Sequence, residues 1–250
     1  MAVYTKISKE DLENFLSKYK IGELKSFQGI VEGIENTIYL LVTSDGKYIL
    51  TLYEKRVRQE DLPFFMNLLS SLSEKKFKCP KPIKDKKGIY INKIKNKNAS
   101  IVSYIEGKSK KNLTPLDCKT IGKMTASIHL LTQKIKANPN QVSINYWKSV
   151  FNKIKNECDS IKKGLANDVN KSLNSLEKSW PKNLPRGVVH ADIFPDNILF
   201  YSGKVSGIID FYFSCNDFLV YELAICINAL CFDYKKGKYN LNKSKVLNLI

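Results

Sequence analysis

Long apolar runs are missing from this chain. No stretch of about 18 apolar residues occurs, so no bilayer-spanning helix and no membrane partner are expected. The first residues, Met1-Ala-Val-Tyr-Thr-Lys-Ile-Ser-Lys-Glu10, lack the apolar centre of a secretory signal. Arginine is scarce: only Arg56, Arg58 and Arg186 occur, although the net charge is +17. Base readout and bidentate phosphate grips favour arginine. The lysines are scattered, with modest clusters at Lys84–Lys97 and Lys108–Lys111. The charge therefore reads as composition rather than a binding face, and no nucleic-acid partner is expected. The six cysteines (Cys79, Cys118, Cys158, Cys215, Cys226, Cys231) form no C-x-x-C pair and no metal spacing. Reduced thiols and a cytoplasmic setting follow as the expectation.

What is present is concentrated between Val188 and Phe213. His190, Asp192 and Asn197 stand in the H-x-D-x-x-x-x-N spacing of a kinase catalytic loop, and Asp210 closes the hairpin that follows. Phosphoryl transfer needs one carboxylate for the attacking hydroxyl, plus an amide oxygen and a second carboxylate for magnesium. Asp192 fits the first role and would take the hydroxyl proton late. Asn197 and Asp210 fit the metal roles, because Mg²⁺ accepts few protein oxygens and completes its shell with water and phosphate. Ile198–Tyr201 and Val205–Ile209 read as strands joined by Ser202-Gly203-Lys204. A hairpin centred on the Gly203–Lys204 bond would set Asn197 directly opposite Asp210. Pro195 is expected to keep the preceding turn from becoming helical. His190 is expected to support the loop by hydrogen-bonding its backbone, without moving a proton.

The 250 residues suffice for one large or two small domains. Ser8 and Asp11 have capping-box spacing before a first helix. Two apolar strands flank a glycine-containing connection after Phe27, and Tyr48–Tyr53 reads as the next strand after an Asp45-Gly46 turn. Asp61 to about Leu72 reads as a helix with Pro63 in its first turn. Ile89–Ile91 and Ala99–Ile105 are further strands. Helical patterns then cover Leu116–Leu131, about Tyr146–Leu176 and Leu219–Phe232. The expected division is a nucleotide-binding lobe over 1–104, with a hinge ending near 107, and a catalytic, acceptor-binding lobe over 108–250.

Several strings carry a resemblance. They are Tyr48-Ile-Leu-Thr-Leu-Tyr-Glu-Lys-Arg-Val57, Asp61-Leu-Pro-Phe-Phe65, His190-Ala-Asp-Ile-Phe-Pro-Asp-Asn197 and Gly207-Ile-Ile-Asp-Phe-Tyr-Phe213 with Asp217 after it. The loop resembles the aminoglycoside/choline kinase-like phosphotransferases, and the strings together resemble the bacterial homoserine kinase branch. That resemblance implies an α+β, two-lobed protein-kinase-like fold, with a small β-rich N-lobe and a larger, mostly helical C-lobe. It implies ATP and Mg²⁺ as cofactors, L-homoserine as acceptor, O-phospho-L-homoserine as product on the route to threonine, and a monomer or homodimer. The resemblance also implies that the connection from Gly29 through Gly33 to Thr37 covers the nucleotide phosphates. Ser103-Tyr104-Ile105 would be the hinge that meets adenine, through Ser103 and Ile105.

Two departures from the pattern stand out. Kinases carry a phosphate-holding lysine on the third strand, yet Thr51 occupies that strand centre. Lys47 and Lys55 share its face by strand alternation. Lys55 is the candidate to reach the phosphates, with Arg56 beside it, and Glu60 only lies near the helix start. The chain also stops at Ile250, in a segment without an evident cap, so a C-terminally truncated lobe is expected. Homoserine's ammonium calls for a paired acid. Asp217 and Glu222 are the candidates, with helix-start stabilisation as their competing role.

Overall fold

Two-residue alternation builds the small lobe. The structure is a computed structural model that describes residues 4–31, 36–54 and 57–250. Helix α1 (Lys9–Leu16) starts at Ser8, whose hydroxyl accepts from the Asp11 N–H while the Asp11 carboxylate accepts from the Ser8 N–H. That is the expected capping box, with aspartate in place of glutamate. Strands β1 (Leu24–Gly29), β2 (Thr37–Thr43) and β3 (Gly46–Leu52) follow. Alternate residues of β2 are buried along its whole length, as a pleated strand requires. Thr43 pairs with Gly46, so the β2–β3 turn falls on Ser44-Asp45, one residue before its expected place. Helix α2 (Leu62–Glu74) carries Pro63 in its first turn, and β4 (Ile91–Ile94) and β5 (Lys97–Ser103) complete an antiparallel sheet of order β1-β2-β3-β5-β4.

Each face of this sheet has its own cover. Tyr39, Leu41, Leu50, Leu52, Ala99 and Ile101 pack on Leu12, Phe15 and Leu16 of α1. Tyr53 and Val102 join Leu62, Phe65 and Met66 of α2, and the same core continues into Val188, Ile208 and Phe211 of the large lobe. Each buried Leu or Phe contributes about 1.5–3 kcal/mol, so one core spans the cleft and holds the two lobes together.

The large lobe begins with β6 (Lys108–Ser109) and α3 (Pro115–Leu131), capped by Thr114 and Asp117. The long helix expected over Tyr146–Leu176 is instead α4 (Ile144–Ile161) and α5 (Leu165–Ser179). Gly164 separates them at φ 83°, a left-handed conformation that glycine adopts without a Cβ penalty. Phe151, Cys158 and Leu173 make a small core of their own between these helices. Then come β7 (Arg186–Val189), β8 (Ile198–Tyr201), β9 (Lys204–Ile208), β10 (Cys215–Phe218) and α6 (Leu219–Leu230). The expected helix to Phe232 stops at Leu230. Lys236 and Gly237, both at positive φ, fold β11 (Phe232–Lys235) back on β12 (Lys238–Leu241), as two-residue hairpin turns do. Finally α7 (Lys243–Leu249) packs on α3 and α6. It does have a cap: the Asn242 side chain accepts from the Lys245 N–H at 3.1 Å. Among the described residues no helix is long and apolar enough to cross a membrane.

Candidate active site

Strand β7 delivers the His190–Asn197 loop from the core, with Val188 and Val189 buried beneath it. His190 is fully buried; its Nε2 lies 3.0 Å from the Ile209 carbonyl, and its Nδ1 accepts from the Asp192 N–H at 3.2 Å. A carbonyl at one nitrogen and an N–H at the other fix the neutral tautomer that carries its proton on Nε2. Burial pushes its pKa down to about 4, so the ring is uncharged at neutral pH. It binds loop backbone on both sides and packs 4.4 Å from the Phe211 ring.

Ala191 turns the chain through φ 65°, a conformation worth roughly 1–3 kcal/mol of strain for a residue with a Cβ. Glu222, from α6, sits directly behind that turn with no exposed surface. Its two carboxylate oxygens accept from the His190 N–H and, at 3.1 Å, from the Ala191 N–H. Burial raises its pKa to about 7; the two backbone donors oppose the rise and the nearby Asp192 charge adds to it. Glu222, a candidate for the acceptor's ammonium, thus gives both carboxylate oxygens to the loop backbone.

Asp192 follows, half-buried. One of its oxygens accepts from Asn197 Nδ2 at 2.8 Å, and the same nitrogen donates to the Asp192 carbonyl at 2.9 Å. Both bonds use the amide nitrogen, so the Asn197 oxygen is the end left for other work. Pro195 does not prevent helix here: Pro195–Asn197 form a single 3₁₀ turn with proline at its first position, where a missing N–H is harmless.

The hairpin differs from its expected register. Ile198 pairs with Ile208 and Leu199 with Gly207, but Phe200 pairs with Val205, leaving Ser206 as a bulge; the turn is Ser202-Gly203. Asn197 thus faces Ile209, whose N–H reaches the Asn197 carbonyl at 3.0 Å. Asp210 lies one residue beyond this pair, exposed at the same open end, in left-handed backbone (φ 65°, ψ 61°). Bulges redirect side chains in this way.

The other expected nucleotide residues divide. Gly29 ends β1 opposite Tyr39. Gly33, Lys55 and Arg56 lie outside the described residues. Thr37 is fully buried: its hydroxyl accepts from the Tyr4 and Thr5 N–H groups at 3.0 and 3.1 Å and donates to Glu54 at 2.7 Å. The hydroxyl of this expected nucleotide residue thus fastens the N-terminal segment. Ser103 is likewise used by the fold, with its hydroxyl accepting from the Lys81 N–H at 2.9 Å and its own N–H bonding the Lys81 carbonyl. Lys47 is exposed and lies 5.6 Å over the Tyr104 ring. Asp217, on β10, is closed in by Asn140 at 2.7 Å and by the Phe218 N–H at 2.7 Å.

Ile105 packs against Gly207 of β9. Its Cδ1 lies 2.7 Å from where a Cβ on Gly207 would stand, and the Lys78 carbonyl is 3.0 Å from the same point. That carbonyl is anchored by the Ile208 N–H at 3.0 Å, so it cannot retreat. Gly207→Ala is therefore expected to lower the melting temperature by roughly 4–8 °C, equivalent to about 2 kcal/mol of overpacking. It should also weaken ATP binding. Thermal melts with and without ATP check both effects, and an unchanged melt would contradict the close contact.

Sequence reasoning missed the bracing role of Glu222. For Glu222 a signal existed: it is a lone acid in the apolar run Leu219-Val-Tyr-Glu-Leu-Ala-Ile-Cys226. A charge there must find partners.

An antiparallel sheet lobe, a helical lobe and an Asp–Asn loop beside a hairpin carboxylate define a phosphotransferase of the protein-kinase-like class. The profile of the phosphotransferase enzyme family matches residues 26–237. Spectinomycin phosphotransferase, solved with ADP and spectinomycin, superposes with a TM-score of 0.68 at 14% identity, covering 98% of this chain and 84% of that one. Homoserine kinase of Parvibaculum lavamentivorans is 43% identical over 248 residues, covering 99% of this chain and 77% of the relative. Homoserine kinase of Agrobacterium fabrum is 42% identical over the same shares. The chain belongs to the phosphotransferase enzyme family and, within it, to the branch that holds these homoserine kinases.

Proposed function

We propose that this protein transfers the γ-phosphoryl group of ATP to the hydroxyl of L-homoserine, giving O-phospho-L-homoserine and ADP. The observation that carries the acceptor is the identity of 42–43% to two homoserine kinases along 99% of the chain. Loop geometry supports the chemistry. Asn197 holds the Asp192 carboxylate at 2.8 Å, in a fixed orientation from which it accepts the homoserine hydroxyl's hydrogen bond. As the oxygen attacks phosphorus, its proton passes to Asp192. Phosphoryl transfer otherwise asks the protein for position and charge neutralisation, and the rigid loop and hairpin provide the first.

Charge neutralisation requires a cation, and the residues present suit Mg²⁺. Asn197 Oδ1 and the Asp210 carboxylate sit at one open hairpin end. No cluster of three or more His, Cys, Asp or Glu suited to a metal occurs among the described residues. Two hard oxygens, completed by water and phosphate, match magnesium's preference. When bound, the ion would offset charge on the β- and γ-phosphates. Ile105 would line the adenine end and Gly29 the phosphate end of the cleft, between the lobes over 1–104 and 108–250, and the protein would act in the cytoplasm.

The test is Mg²⁺-dependent ADP release with L-homoserine beside choline, L-serine and kanamycin. Release with homoserine well above the others is expected. Release with choline or kanamycin alone would keep the kinase and overturn the acceptor.

A further inference from the structure

Kinases hold the nucleotide phosphates with a third-strand lysine that pairs with a helix glutamate. Here Thr51 takes that place and is 4% exposed. Strand alternation puts Tyr53 on the same face, and Ser100 lies directly across from Thr51 on β5. The Tyr53 hydroxyl is 2.7 Å from Ser100 Oγ and donates to the Tyr212 hydroxyl at 3.0 Å. Tyr212 is the second residue after Asp210. Its ring stands edge-on to Tyr53 at 5.3 Å and to Phe65 of α2 at 5.7 Å.

These contacts tie three elements at one point: the third strand, helix α2 and the segment that carries Asp210. Phe211, between Asp210 and Tyr212, packs on His190 within the large lobe. Asp210 itself holds a left-handed backbone, which persists only where neighbours over-determine it. Phenylalanine and alanine would fill the same space without the need to satisfy buried hydroxyls. Hydroxyls in a chain specify one arrangement, because each must meet its partner.

We infer that the Tyr53–Ser100–Tyr212 hydroxyl bridge is a positioning device that fixes Asp210 against the small lobe, coupling Mg²⁺ to nucleotide binding. It does here what the lysine–glutamate pair does in other kinases, joining strand, helix and metal-bearing segment. The inference rests on the metal role proposed above for Asp210. None of the three residues touches the reacting atoms; they act through Asp210.

The test uses Tyr53→Phe and Tyr212→Phe, which keep both rings and remove one hydroxyl each. Calorimetric titration with ADP, in excess Mg²⁺ and again in EDTA, gives the factor by which Mg²⁺ tightens ADP. That factor is expected to fall about tenfold in each variant, the effect of losing one buried hydrogen bond. ADP affinity in EDTA should stay at the wild-type value. The double variant should be no worse than either single one, since all remove the same bridge. Equal losses with and without Mg²⁺, or an unchanged factor in Tyr53→Phe, would overturn the bridge while leaving Asp210's role intact. A wild-type protein whose ADP affinity ignores Mg²⁺ would overturn the metal role and the bridge with it. If Tyr212→Phe melts far below the wild type, Tyr53→Phe and Ser100→Ala decide the matter.

Discussion

Asp192→Asn is expected to lower turnover with L-homoserine by about three orders of magnitude, the range that one general base supplies. The substitution preserves shape and lets the Asn197 amide keep an oxygen to donate to, in place of the 2.8 Å bond it now makes. It removes the only change that matters to the reaction, the capacity to accept the hydroxyl's proton. ATP binding should stay within about twofold, because Asp192 meets the acceptor and not the nucleotide. The melting temperature should move by no more than a few degrees. Turnover within about tenfold of the wild type would remove Asp192 from its catalytic role.

Glu222→Ala is the second large effect, and it falls on stability as well as rate. Glu222 has no exposed surface and bonds the His190 and Ala191 N–H groups. Removing it orphans two buried donors at about 1–3 kcal/mol each, and leaves a cavity besides. Roughly 4 kcal/mol of lost stability is expected, with a fall in turnover as the left-handed turn at Ala191 relaxes. Glu222→Gln isolates the charge. The folded pKa of about 7 stands above the ordinary 4.5, so between these values the folded protein holds a proton that the unfolded chain releases. The contribution is complete below about pH 4.5 and is lost as pH rises through about 7, on the order of 3 kcal/mol in all. Urea unfolding from pH 5 to 8 should therefore show wild-type stability falling relative to Glu222→Gln as pH rises, while the opposite contribution of His190, whose pKa is pushed down to about 4, is common to both proteins. The same slope in both proteins would contradict a protonated, buried Glu222.

What could be read from the sequence was what is local. The Ser8–Asp11 cap, the two-period strands and the His190–Asn197 loop each occupy a few consecutive residues, and their chemistry follows from spacing. The hairpin register was misread because the turn closes on Ser202-Gly203, ahead of the expected Gly203–Lys204 centre, and the bulge at Ser206 makes up only part of that offset. The break at Gly164 was missed because apolar periodicity resumes after it. Lys236-Gly237 carried a usable turn signal, hidden by the apolar run of α6 before it. Long-range partners were out of reach: Tyr53 and Tyr212 are 159 residues apart, and Glu222 meets a loop more than 30 residues upstream. Their meaning exists only after folding brings strand, loop and helix together.

The central claim is transfer of phosphorus to the homoserine hydroxyl by a site built on Asp192. Phosphorus-31 NMR of a reaction with ATP, Mg²⁺ and L-homoserine follows that atom directly. The account predicts loss of the γ-phosphate resonance with the rise of a phosphomonoester coupled to the homoserine γ-CH₂ protons, and neither change with Asp192→Asn. Inorganic phosphate as the sole product, or an equal phosphomonoester signal from Asp192→Asn, would contradict it.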